Sequence, residues 1–157
     1  MNIENSFINN FQNLPSFVYL ISNLFSLPFH LNFFSIIIII LYYKKLLDST
    51  QICLLFSSQI LVGIMKYTIK RERPFVNSNI VNNDIILLDR YSFPSGHTIN
   101  AFLLFYFLKK NNLLLPTYMK IIPYLVGFSR IILGVHYPSD VIGGAILSKL
   151  LIKLYYP

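Results

Sequence analysis

Five long apolar stretches, separated by short polar clusters, set the limits on what this chain can fold into. They run over 29–43, with an unbroken isoleucine run at Ile36–Ile40, over 51–69, from Gly96 or His97 to Leu108, from about Tyr118 to Val135, and from Ser139 to Tyr155. At ~1.5 Å per residue, a helix of roughly 20 residues crosses a bilayer core of ~30 Å. The chain has 157 residues, 55% hydrophobic and only 12% charged, and its mean hydropathy is +0.59. The charged fraction is about half of the ~25% usual in globular proteins, and a soluble core of this size cannot absorb such blocks. The expectation is an all-α, polytopic transmembrane bundle of five to six helices. It forms one domain over 1–157, and its short loops make neighbouring helices antiparallel.

The remaining stretches are less apolar. Residues 1–13 read as a disordered or interfacial tail. Leu14–Leu27 is interrupted by Ser22, Asn23 and Ser26 and is too short for a full crossing. It reads as an interfacial or partly inserted helix ending at Pro28, with a full span as the alternative. Asp48-Ser49-Thr50 supplies a turn and caps for the next helix. Residues 70–95 form the one long polar segment, and its apolar patch, Ile85–Leu88, is expected to dip into the membrane interface. No basic leader with a cleavage site is seen. Cys53 is the single cysteine, cannot form an internal disulfide and reads as inert packing. The net charge of +7 resides on Lys and Arg at the ends of apolar blocks. That placement suits membrane anchors, so membrane lipids are the expected partners and nucleic acid is not.

Three polar clusters fall at ends of apolar stretches that share one side of the membrane. They are Lys66-Tyr-Thr-Ile-Lys-Arg-Glu-Arg73-Pro74, Tyr91-Ser-Phe-Pro94-Ser95-Gly96-His97, and Ser129-Arg130 through His136 to Asp140. Together they read as a phosphate site. Lys66 supplies a point charge, while Arg73 and Arg130 supply planar forks that match phosphate oxygens. Ser95 and Gly96 precede a helix whose first N–H groups form an anion seat, and glycine allows close backbone approach. His97 and His136 leave one imidazole to attack phosphorus and another to protonate the leaving oxygen. Taken singly, most of these residues also fit bland roles as anchors, caps and turns. Arg130 does not, because an Arg inside an apolar span needs a partner. His30 reads as an isolated interfacial residue, Tyr19, Tyr91 and Tyr137 as interfacial aromatics, and Lys70 and Arg71 as solvated or headgroup-facing.

The patterns Lys66-x6-Arg73-Pro74, Pro94-Ser95-Gly96-His97 and Ser129-Arg130-x5-His136-x3-Asp140 resemble the three signature motifs of the type-2 phosphatidic acid phosphatase family. They occur intact and in order over 66–140. The resemblance implies that His136 is the nucleophile that forms a phosphohistidine, that Asp140 orients it and that His97 is the general acid. It implies that Lys66, Arg73, Ser95, Gly96 and Arg130 bind phosphate. It also implies that no metal or other cofactor is needed. The implied activity is hydrolysis of a lipid phosphomonoester or pyrophosphate, with undecaprenyl pyrophosphate placed first. Phosphatidic acid, phosphatidylglycerophosphate and lipid A phosphates are the alternatives.

Two rival readings belong to other classes. A vanadium haloperoxidase shares the motifs, but such proteins are large and soluble. A non-catalytic lipid-binding or lipid-transport protein would not need both histidines. Orientation follows from the lysines. Setting aside Lys66, Arg73 and Arg130, the site face keeps Lys70, Arg71 and Arg90, against Lys44, Lys45, Lys109, Lys110, Lys120 and Lys153 on the other. The positive-inside bias puts the lysine-rich face in the cytoplasm. The site then faces the periplasm or exterior of a bacterial cytoplasmic membrane.

Overall fold

The computed structural model describes residues 3–11, 13–77, 90–111, 113 and 116–156. Ile85–Leu88 lies outside the described residues. The described chain is helical, with a single isolated β-bridge between Glu72 and Tyr91. Its α-helices are α1 (Ile3–Asn9), α2 (Ser16–Ser26), α3 (Leu31–Tyr43), α4 (Ser49–Ile69), α5 (Pro74–Asn77), α6 (Gly96–Lys110), α7 (Ile122–Ile132) and α8 (Pro138–Tyr155). Short 3-10 turns at Leu27–Phe29 and Thr117–Ile121 lead into α3 and α7.

Helix α4 is the longest, at 21 residues, or about 31 Å at the α-helical rise. The Asp48 side chain accepts from Gln51 N at 2.8 Å, and Asp48 N donates to the Gln51 side chain at 3.1 Å, so the expected cap is a reciprocal one. Among the described residues α4 is the one helix long and apolar enough to cross a membrane by itself. The segments Ser16–Phe29 and Asn32–Tyr43 qualify only as a pair, bent by 52°. The other expected crossings are shorter than a full span or carry charge. The stretch expected from Tyr118 to Val135 divides into a 3-10 turn and the 11-residue α7. Helix α8 holds Asp140, Lys149 and Lys153.

Helix α6 is the central element, packed on α8, α7 and α4, while α2 packs on α7. Its Ile99, Ala101, Leu103 and Phe107 are fully buried, next to Leu54 and Leu55 of α4 and Val126 of α7. The periphery is apolar as well: Ile36, Ile39, Ile60, Ile64, Ile142, Ile146 and Leu150 are all more than half exposed. Polar groups meanwhile line the inside, where Gln59 of α4 donates to Asn100 of α6. Large apolar side chains thus stand on the periphery as well as in the core, while charged and polar groups are enclosed with that core.

Two glycines bring α8 against the second motif. A Cβ on Gly144 would stand 2.9 Å from the Ser95 carbonyl oxygen, and one on Gly143 would stand 2.6 Å from the Phe93 ring. At the opposite end, Asn111 joins three elements. It donates to Leu46 O at 2.8 Å and to the Gln51 side chain at 2.7 Å, and it accepts from Gln51 Nε2 at 3.0 Å. Lys110 Nζ lies 3.0 Å from the Tyr156 ring centroid. The ends of α3, α6 and α8 therefore gather with the start of α4, leaving the three motifs together at the other end.

The N-terminal tail departs from expectation. Residues 3–9 form α1, and Ile8 is buried at 2% exposure against Ile131 and Tyr137. Phe11 meets Phe128 edge-on at 5.8 Å, and Tyr19 OH donates to Phe11 O. The apolar residues of this tail, Ile3, Phe7, Ile8 and Phe11, recur at helical spacing, but of these it is Ile8 and Phe11 that join the buried cluster.

Candidate active site

The first motif ends where α4 ends. Lys70 takes a left-handed conformation, φ 52° and ψ 35°, and turns the chain back across the helix end. The turn carries Arg73 inward, where it is 4% exposed, beside Lys66 at 7%. The second motif is tied to this return. Ser92 N donates to Arg71 O at 2.8 Å, next to the Glu72–Tyr91 bridge. Ser95 N then donates to Asp140 O at 3.1 Å, joining the second motif to the third.

The third motif leaves α7 through Gly134, whose φ of 66° suits glycine. Val135 N and His136 N both donate to Arg130 O, at 3.2 and 3.3 Å. This tight return holds His136 at 2% exposure just before α8 begins. Arg73 Nη1 donates to Val135 O at 2.9 Å and stands 3.4 Å from His136 Nε2. On the other side of the ring, His136 Nδ1 is 3.5 Å from Asp140 Oδ2. Asp140 is fully buried and sits in the first turn of α8 rather than at its cap; its Oδ2 accepts from Tyr137 N at 2.8 Å.

The predicted residues therefore converge. Arg130, His136 and Lys66 all act electrostatically on His97, and Arg73 acts on Arg130. Ser95 is fully buried, and its hydroxyl accepts from Thr98 Oγ1 at 2.9 Å. A Cβ on Gly96 would meet Val62 at 3.6 Å and Gln59 at 3.7 Å, which is ordinary contact. The protein's own packing thus does not demand glycine at that position. His136 Nδ1 has Asp140 Oδ2 at 3.5 Å as an ion-pair contact and makes no hydrogen bond among the described residues, while His97 Nε2 and Arg130 Nε are buried there with no hydrogen-bond partner. Buried polar atoms are nearly always paired, so these two point to a ligand.

Three residues depart from the sequence expectation, and Glu4, for which it gives no role, joins them. Arg71 is not headgroup-facing: its Nη1 donates to Asp140 Oδ1 at 2.6 Å and to Ser139 Oγ at 2.5 Å. Its Nη2 pairs with Glu4 of α1, and its guanidinium lies 4.1 Å from the Tyr137 ring centroid. Tyr137 is accordingly a buried platform, 5% exposed, rather than an interfacial aromatic. His30 is not isolated, since its ring meets His97 edge-on with centroids 4.7 Å apart. Glu4 accepts from Ser139 N at 3.1 Å. Partial burial pushes the Glu4 carboxyl up, but the hydrogen bonds from Ser139 and Arg71 and the charge of Arg71 outweigh it, leaving the carboxyl below its ordinary value. The available signal for Arg71 was the Arg-x-Arg spacing just past an apolar helix, which by itself reads as an anchor.

Residues 50–157 match the PAP2 superfamily. The chain is 34% identical over 125 residues to phosphatidylglycerophosphatase B of Bacillus subtilis (strain 168), a match covering 72% of this chain and 59% of that protein. It is 40% identical over 97 residues to the bacitracin transport permease protein BcrC of Bacillus licheniformis, covering 59% of this chain and 46% of the relative. The chain thus spans about half the length of these curated relatives. Its fold is similar to the crystal structure of a transmembrane PAP2-type phosphatidylglycerolphosphate phosphatase from Bacillus subtilis. The TM-score is 0.75 at 24% identity, over 96% of this chain and 81% of that one.

Proposed function

The chain belongs to the PAP2 superfamily, and from that premise we propose that it is an integral-membrane lipid phosphatase acting through a phosphohistidine on His136. One observation carries the reading. An imidazole with Asp140 on Nδ1 and Arg73 beside Nε2 is buried among Arg130, Lys66 and His97, inside a chain whose periphery is apolar. In this reading the chain is one membrane-embedded domain of five to six crossings. The shorter helices cross as well, their charged ends carrying the site or the lysine anchors.

The chemistry follows from the placement. His136 Nε2 attacks phosphorus as the bond to the lipid oxygen breaks, and His97 gives that oxygen its proton. Asp140 holds the ring through Nδ1 and balances the charge it acquires. Lys66, Arg73, Arg130 and the N–H groups behind Ser95 and Gly96 hold the phosphate oxygens, where positive charge lowers the barrier most. Water then cleaves the N–P bond, with His97 now taking a proton.

The substrate is a lipid phosphate, and undecaprenyl pyrophosphate is the first proposal. Phosphatidylglycerophosphate is the second, supported by the name of the Bacillus subtilis relative. Phosphate release by the detergent-purified protein, measured in EDTA on both lipids and on phosphatidic acid and lipid A phosphates, separates them by kcat/KM. The His136→Ala variant is expected to show no turnover above background, and His97→Ala to lose about 10²- to 10⁴-fold in kcat. Turnover that survives His136→Ala rules out the phosphohistidine route.

A further inference from the structure

We propose that Arg71 is a positioning residue for the attacking histidine, and that Glu4 of α1 completes its clasp. The inference rests on the reading of His136 as nucleophile. Asp140 has two oxygens with different tasks. Oδ2 accepts from Tyr137 N at 2.8 Å and faces His136 Nδ1 at 3.5 Å. Oδ1 is held by Arg71 Nη1 at 2.6 Å. A carboxylate gripped at one oxygen by a charged fork cannot swing about its terminal torsion, so its plane is fixed, and with it the position of Oδ2, 3.5 Å from His136 Nδ1. The Arg71 fork is in turn braced from three sides. The Tyr137 ring lies under it at 4.1 Å, Ser139 Oγ accepts from Nη1, and Glu4 pairs with Nη2.

Glu4 also sets the charge balance. A fully buried carboxylate needs a compensating cation, which Arg71 supplies. Arg71 alone would draw on the same negative charge that must stabilise a protonated or phosphorylated His136. With Glu4 bound to its far side, the trio of Glu4, Arg71 and Asp140 keeps one net negative charge facing the imidazole. Glu4 Oε1 additionally accepts Ser139 N at 3.1 Å, so a residue far back in the chain caps the helix that carries Asp140. Helix α1 thereby becomes part of the apparatus that orients the nucleophile.

The test uses the full chain in detergent with dioctanoyl phosphatidic acid as probe, comparing wild type, Arg71→Ala, Arg71→Lys, Glu4→Gln and His136→Ala. Arg71→Ala is expected to lose about 10- to 100-fold in kcat, as for removal of a hydrogen bond to a buried charge, with KM within about threefold. Methylguanidinium should restore part of that loss, and Arg71→Lys and Glu4→Gln should fall between wild type and Arg71→Ala. A raised KM with unchanged kcat would instead make Arg71 a phosphate ligand and overturn the proposal, as would unchanged kinetics in all three variants. The second readout does not depend on turnover. In ¹⁵N-histidine spectra, the Nδ1 proton of His136, assigned by its loss in His136→Ala, should move upfield in Arg71→Lys and Glu4→Gln. A resonance that stays in place in both variants overturns the positioning role whether or not the protein turns over. Inactivity of the wild type on every lipid phosphate, with that resonance still moving, overturns the phosphatase reading alone.

Discussion

Arg71 and Arg73 are two positions apart and do different work, because the left-handed turn at Lys70 sends both back across the end of α4. Arg73 goes to His136 and Arg71 to Asp140. Their difference was illegible in the sequence, where two arginines after an apolar helix look alike. The motif histidines and Asp140 were legible because a titratable group in an apolar chain has few inexpensive explanations. His30 was missed for the opposite reason: it stands some 67 positions from the residue it touches, with no motif around it. Its ring covers one edge of His97, and an edge-on aromatic pair is worth roughly 0.5–1.5 kcal/mol. If His97 is the general acid, His30→Ala frees it to leave its productive rotamer, and kcat should fall about 2- to 10-fold. His30→Phe keeps the ring and should stay within about twofold of wild type. Equal kcat for all three proteins would show that His30 does not support His97.

At the scale of elements, the site depends on how closely α8 approaches α6. Gly144 makes that approach, since its Cβ position lies 2.9 Å from the Ser95 carbonyl, a backbone atom that cannot rotate away. Gly144→Ala should therefore push the Ser95 turn off α8 and strain the Ser95 N to Asp140 O bond. The expected cost is about 1–3 kcal/mol, read as a lowered melting temperature in detergent, with kcat reduced as well. Gly63 on α4 is the contrasting case, with nothing within 4 Å of a Cβ, and Gly63→Ala should hold or raise the melting temperature. Helix positions were largely readable from the apolar blocks: α4 and α8 lie within a few residues of the expected 51–69 and 139–155. The split of the fourth stretch into a 3-10 turn and α7 was not, and neither was α1. Both depend on packing between distant segments, which a short apolar pattern such as Ile3, Phe7, Ile8 and Phe11 does not settle by itself.

For the whole molecule, the distribution of polar groups argues for a membrane more strongly than helix length does. A charged, histidine-bearing interior enclosed by exposed Ile, Leu and Phe has no stable arrangement in water, where the exposed apolar area would drive association. In lipid the same surface is solvated and the charges remain enclosed. The two ends then differ in kind. The site end holds Lys66, Arg73, Arg130 and Asp140 turned inward, and the opposite end presents lysines, with Lys110 over Tyr156 and Lys45 near the turn before α4. Lysines bonded to no substrate are the ones that respond to the positive-inside bias, so the lysine end should be cytoplasmic and the site external. A single introduced cysteine reports this once Cys53 has been replaced by alanine. Placed near residue 80, it should react with an impermeant maleimide in intact cells, while one beside Lys110 should react only after the cells are opened. The reverse labelling pattern would put the end that carries the candidate site on the cytoplasmic side. It would then give the lysine end no part in setting the topology.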